Sequence, residues 1–364
     1  MRKLIVVVLI LAVVAWGAWW GFRASSSRDV LLKANADDLV ATVVTPHLEC
    51  PMADGKNVVW CATFQIAWNQ ACALIGEDIH LVNEPAMVAV LNKKTARKSD
   101  VDDASCVALA GWTADGIDEQ IRHALREKFG ADAPTELADM PDPPETMLVA
   151  YACLVKDLKF QTPFESLDDG ELHFRGTPVK AFGLTKGAGR ARDIARQVLL
   201  YDEGEANSPE GCLVELVTQS EGDRLILAMV KPAATLEETI AAVSTRLEKA
   251  TANRVSSHDR VLIPRLNFDL LKSYTPLVGK TLKVKNAEAD GLFIAAALQT
   301  IRFELNQHGA KLRSEARLRV EASVPLSAPP VFDRPFLILL QRTDAKTPYF
   351  ALWVDNVELL MPIK

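Results

Sequence analysis

The chain has 364 residues, 49% hydrophobic and 24% charged, a balance that excludes a disordered polymer and fits one large or two medium domains with a real core. Its net charge of -6 and pI near 5.6 exclude the basic surface that phosphate binding needs. Nucleic acid is therefore not an expected partner, whereas a protein or a small molecule is.

From the N-terminus, Arg2 and Lys3 precede residues 4–22, which carry no charge and are closed by Arg23. Nineteen such residues at ~1.5 Å each span about 28 Å as a helix, close to the hydrocarbon thickness of a bilayer. A cleavable leader has a shorter apolar core and a small-x-small exit, whereas this exit reads Trp19-Trp20-Gly21-Phe22-Arg23. The expectation is an uncleaved transmembrane helix over residues 1–23 with Trp16, Trp19 and Trp20 at the interface. The body would then lie outside the cytoplasm, periplasmic or at the cell surface, and be secreted if the segment were cleaved. Residues 24–36 read as a linker and 37–364 as the globular domain. Cys50, Cys61, Cys72, Cys106, Cys153 and Cys212 would sit in a disulfide-permissive compartment. None has metal-ligand spacing, and most are expected to be small buried hydrophobes.

Residues 62–74 have helical spacing, and in 115–129 Ile117, Ile121, Leu125 and Phe129 form one stripe of an amphipathic helix. Residues 134–144 hold four prolines in an acidic run, an irregular connection. MLVAYACLV, from 147, is continuously apolar and fits a strand buried on both faces. LVELV at 213–217 and LILAMV at 225–230 read as strands around a turn at Gly222-Asp223. Thr235 and Glu238 form a capping box that opens a helix with Leu236, Ile240, Val243 and Leu247 inward. Strands dominate afterwards: VLIPRLNF, LFIAAALQTIRFELN, PFLILL and YFALWV. Between Gly309 and Pro325 the side chains alternate, with Ala310, Leu312, Ser314, Ala316, Leu318, Val320 and Ala322 on one side. Lys311, Arg313, Glu315, Arg317, Arg319 and Glu321 lie on the other, so this stretch fits a sheet with one small or apolar face and one charged face.

The order of these pieces resembles the serpin family over nearly the whole body. FDRPFLILLQRTDAKTPYFALWV is similar to the serpin ending, through Phe332, Arg334, Pro335, Phe336, Pro348 and Phe350. FELNQHGAK at 303–311 resembles the strand and glycine hinge that open a reactive loop, and IPRLNFDLLK at 263–272 the Leu-Pro-Lys-Phe strand. LVAYACLVKDLKFQTPF at 148–164 is similar to the strand ending in Trp-x-x-Pro-Phe, with Phe160 in place of the tryptophan. KNVVWCATFQIAW at 56–68 stands where serpins begin the helix beneath the main sheet.

The resemblance implies an α+β, serpin-like fold: helices packed on a large mixed main sheet plus smaller sheets, with a reactive-loop segment exposed or inserted. It implies an inhibitor of a serine endopeptidase, elastase-like or subtilisin-like, that acts by loop cleavage and strand insertion, and the N-terminal run would tether it to the membrane. The implied hinge is Gly309, Ala310, Lys311, Leu312, Ser314 and Ala316, and the implied reactive bond is Ser323-Val324. Departures point to an alternative, a non-inhibitory scaffold or binding protein with a permanently inserted strand. Leu312 is bulky where the hinge is usually small, and Gln307 and His308 replace two glutamates. Cys61-Ala62-Thr63, Gln299 and Ala150 replace the Ser-Pro, histidine and asparagine of the polar latch, which is expected to be weakened.

An enzyme is not expected. The six histidines include no His-Glu-x-x-His, and there is neither a Cys-x-x-Cys nor a Gly-x-Ser-x-Gly elbow. Gly187-Ala188-Gly189 reads as a loop, and Asp139 and Asp142 flank Pro141 as solvated acids. No metal or cofactor is expected.

Overall fold

The structure, a computed structural model, describes residues 6–11, 31–130, 147–187, 189–202, 211–312 and 330–363. In chain order its strands begin β1 (Val6–Leu11), β2 (Leu32–Asn35), β3 (Thr42–Thr45), β4 (Asn57–Cys61), β5 (Cys106–Trp112), β6 (Met147–Leu154) and β7 (Lys156–Lys159). They continue β8 (Glu165–Phe174), β9 (Thr177–Leu184), β10 (Val198–Asp202), β11 (Leu213–Leu216), β12 (Asp223–Ala228) and β13 (Thr251–Arg254). The last are β14 (Val261–Pro264), β15 (Leu266–Ser273), β16 (Phe293–Asn306), β17 (Gly309–Leu312), β18 (Phe336–Arg342) and β19 (Phe350–Val354). The helices are α1 (Thr63–Ile75), α2 (Ala86–Leu91), α3 (Ile117–Phe129), α4 (Ala191–Ala195) and α5 (Leu236–Lys249).

The apolar run that forms β6 sets the centre of the fold. All eight of its residues are buried. Leu148, Ala150, Ala152 and Leu154 join the main core, whereas Met147, Val149, Tyr151 and Cys153 pack with Ile117, Ile121 and Leu125 of α3 on the opposite face. A strand apolar on both faces needs a cover on each, and here α1 packs on one side and α3 on the other. The main sheet runs β2-β15-β16-β1-β6-β5 and mixes parallel with antiparallel pairs, with β17 added between β16 and β7. A second sheet runs β13-β10-β11-β12-β18-β19-β4-β3, so the hydrophobic ending lies in its middle. A small sheet, β14-β9-β8, completes the α+β architecture, with helices on a large mixed main sheet and smaller sheets as expected.

The helices follow their sequence signals. α1 is buried along Thr63, Phe64, Gln65, Ile66, Ala67 and Trp68 and ends at Gly76, whose φ of 89° is the left-handed conformation that glycine adopts without strain. At α5 the Thr235 side chain accepts from the Glu238 N–H at 3.2 Å. The Glu238 carboxylate in return accepts from the N–H of Ala234, one residue earlier than a standard box. All six cysteines are free thiols, five of them buried, and burial pushes Cys106 and Cys212 up to about 12.

Two expectations at the N-terminus differ from the structure. Val6–Leu11, expected within a transmembrane helix, is a strand of the main sheet. Leu32–Asn35, expected in the linker, is an edge strand parallel to β15. Among the described residues no helix is long and apolar enough to cross a membrane. The proline-rich connection and most of residues 4–22 lie outside the described residues.

Candidate functional site

β16 ends at Asn306, Gln307 and His308 make a two-residue turn, and the chain returns as β17 in antiparallel register, Asn306 opposite Gly309 and Glu304 opposite Lys311. The turn is clamped. The Phe160 N–H donates to the His308 carbonyl and the Phe164 N–H to the Gln307 carbonyl, each at 2.9 Å, while His308 N–H donates to Asn306 Oδ1 at 2.8 Å. Phe160 stands edge-on to Phe164 with ring centres 4.7 Å apart, an aromatic pair beside the turn.

On its other side β17 pairs with β7, Gly309 opposite Lys159 and Leu312 opposite Lys156. Gly309 has φ +148°, and a Cβ there would stand 2.2 Å from the Leu158 carbonyl oxygen, so position 309 requires glycine. Ala310 is fully buried and Lys311 is exposed, 3.7 Å from the Glu304 carboxylate. Ala310 and Lys311 thus lie on the inward and outward sides expected from the alternation. Four of the expected hinge residues, Gly309, Ala310, Lys311 and Leu312, are brought together in β17; Ser314, Ala316, Ser323 and Val324 lie outside the described residues.

β16 runs parallel to β6, one strand apart. β17 fills one end of this slot and β1 the other, parallel to both walls. Val6 pairs with Phe293 and Met147, and Leu11 pairs with Gln299. Among the described residues no strand fills the slot beside residues 300–303 of β16.

At the positions where a weakened polar latch was expected, the structure places a buried hydrogen-bond cluster around a glutamine. Tyr274 Oη donates to Gln299 Oε1 at 2.6 Å, and Gln299 Nε2 donates to the Cys61 carbonyl at 3.1 Å and to Thr63 Oγ1 at 2.9 Å. Gln299 is fully buried, so these bonds tie β16 to the start of α1 without solvent competition. Cys61, Thr63 and Gln299 thus act together through one side-chain amide, which single positions in a sequence do not reveal.

A second buried device stands behind the hinge. Lys156, on β7, holds Asp223 of β12 at 2.8 Å, and the same carboxylate accepts from Tyr349 Oη at 3.0 Å and Ser220 Oγ at 2.7 Å. Burial, with Asp223 next, holds the Tyr349 hydroxyl well above its ordinary range, so it stays a donor. This pair was missed in the sequence, although a lysine that directly follows nine apolar residues signals a buried partner. Among the described residues no group of three or more His, Cys, Asp or Glu is placed to hold a metal ion.

No protein-family model and no curated protein sequence matches the chain. Among solved structures it is similar to human thyroxine-binding globulin complexed with thyroxine, at 10% identity and a TM-score of 0.46, over 83% of this chain and 92% of that one. It is similar to a serpin from the trematode Schistosoma haematobium at 12% identity and a TM-score of 0.46, over 83% and 94%. Uncleaved ovalbumin is similar at 12% identity and a TM-score of 0.44, over 82% and 92%.

Proposed function

We propose that the chain is a divergent serpin-type inhibitor whose segment after the hinge is bait for a serine endopeptidase of elastase-like or subtilisin-like preference. The single observation that supports this is the register of the hinge. Extended past Leu312 in the pairing that β17 makes with β16, Ala316 would face Gln299, and the end of the alternating segment would reach Phe293. In that register a strand of residues 310–322 would have the length of the slot. In the proposed reaction the protease serine attacks the Ser323 carbonyl and the Ser323-Val324 peptide bond breaks. Val324 leaves as the free amine, and the loop enters the sheet with the acyl ester attached. No group of the inhibitor is catalytic; the gain in strand pairing drives the step.

The apolar run at 4–22 is proposed as a tether that holds the body outside the cytoplasm, with a membrane as its partner, and the protein would be secreted if that run were cleaved. A second function, a non-inhibitory scaffold, is favoured by the occupation of both ends of the slot, by β17 and by β1.

Incubation with elastase-like and subtilisin-like proteases, followed by a denaturing gel, tests the proposal. A covalent complex that survives denaturant is expected. Cleaved loop with no complex would leave the scaffold.

A further inference from the structure

β1 occupies the β16 edge that the loop would need. It pairs with residues from Phe293 to Gln299, the same residues that 316–322 would face if the register of β17 continued. The two occupants are mutually exclusive there. Their chemistry also differs in a way the walls of the slot discriminate. On the outer face at this level lie Val149 and Tyr151 of β6, in the cluster that includes Ile117, Ile121 and Leu125 of α3, with Ala296 of β16 half-buried against that cluster. Continued in register, Arg317 and Arg319 would point to that face, Arg319 directly opposite Ala296. Guanidinium groups brought against this apolar cluster would lose hydration, a cost that apolar side chains do not carry. The sequence of β1, VVVLIL, is apolar at every position and suits a strand covered on both faces.

We propose that Val6–Leu11 is an internal plug of the strand slot, one that stops the loop near Leu312 and must leave before strand insertion can go to completion. The plug itself rests on the pairing of β1; only the identity of its competitor rests on the proposed loop insertion. An apolar run able to enter a bilayer thereby gains a second destination in the protein's own sheet, and whichever holds it sets whether the slot is open.

The test uses the full-length chain with Val8→Cys and Ala296→Cys, which are direct strand neighbours, and in a second variant Leu9→Cys with Ala150→Cys across the other wall. Oxidation is expected to join each introduced pair, identified by peptide mass. Uptake of a labelled synthetic peptide with the sequence of 310–322 is then followed on native gels. Expected is uptake slower by about ten-fold in the crosslinked chain than in the unchanged one, because the occupant must leave first. Leu9→Pro, which cannot pair in mid-strand, is expected to take up peptide faster than either. A folded chain in which neither pair crosslinks would overturn the plug, as would equal uptake by all three forms. Crosslinking with slowed uptake, in a chain that forms no covalent protease complex, would retain the plug and remove the inhibitor.

Discussion

A methyl group at position 309 would meet the Leu158 carbonyl, on a backbone already at φ +148°. Gly309→Ala therefore either strains the hinge or frees β17 from β7, at a cost of about 1–3 kcal/mol, read by chemical denaturation together with faster amide exchange at Ala310 and Lys311. Ten residues before this hinge, Gln299 satisfies three buried groups at once. Gln299→Leu keeps the volume but orphans the Tyr274 hydroxyl, and an expected loss of about 1–3 kcal/mol would be recovered in part by adding Tyr274→Phe. His47 gives the fold a pH dependence. Burial, with Lys93 in support and Glu49 opposing, lowers its pKa, so the unfolded chain takes up the proton more readily than the folded one. Stability is thus expected to fall as pH drops below about 6.5, and His47→Asn to flatten that slope in denaturation curves.

Between elements, the Lys156 to Asp223 pair joins β7 of the main sheet to β12 of the second sheet. Lys156→Met leaves an uncompensated carboxylate in the core and is expected to cost about 3–5 kcal/mol, whereas Lys156→Met with Asp223→Asn keeps an acceptor for Tyr349 and costs less. The double variant less stable than the single one would refute this account of the pair. At this scale much was legible in the sequence. The 3.6-residue stripe of α3, the capping threonine of α5 and the continuous apolar run of β6 each state their environment locally, because period and capping are properties of neighbouring residues. The glycine hinge was legible for the same reason: a lone glycine between a strand and an alternating run marks a turn. What stayed hidden depends on partners far away in the chain. β4, read as the approach to a helix, is a strand because β19 and β3 flank it. β8 carries the polar run Asp168-Asp169-Gly170-Glu171 and lacks a clean alternation. The run that became β1 has two physical solutions, a helix in lipid or a strand between two apolar faces, and nothing within it chooses between them.

For the whole molecule, the slot between β16 and β6 is where the two sheet occupants, the hinge and the latch meet. In the proposed insertion, residues 313–322 would extend the pairing that β17 already makes with both walls, a gain beyond the one that Ala310, paired and buried, already contributes. The most direct test is the melting temperature before and after the loop is cut between 313 and 329, in the unchanged chain and in Leu9→Pro. A rise of about 10 °C or more is expected in Leu9→Pro, where the slot is open, with a smaller rise in the unchanged chain. No rise in either form would contradict strand insertion as the purpose of the slot.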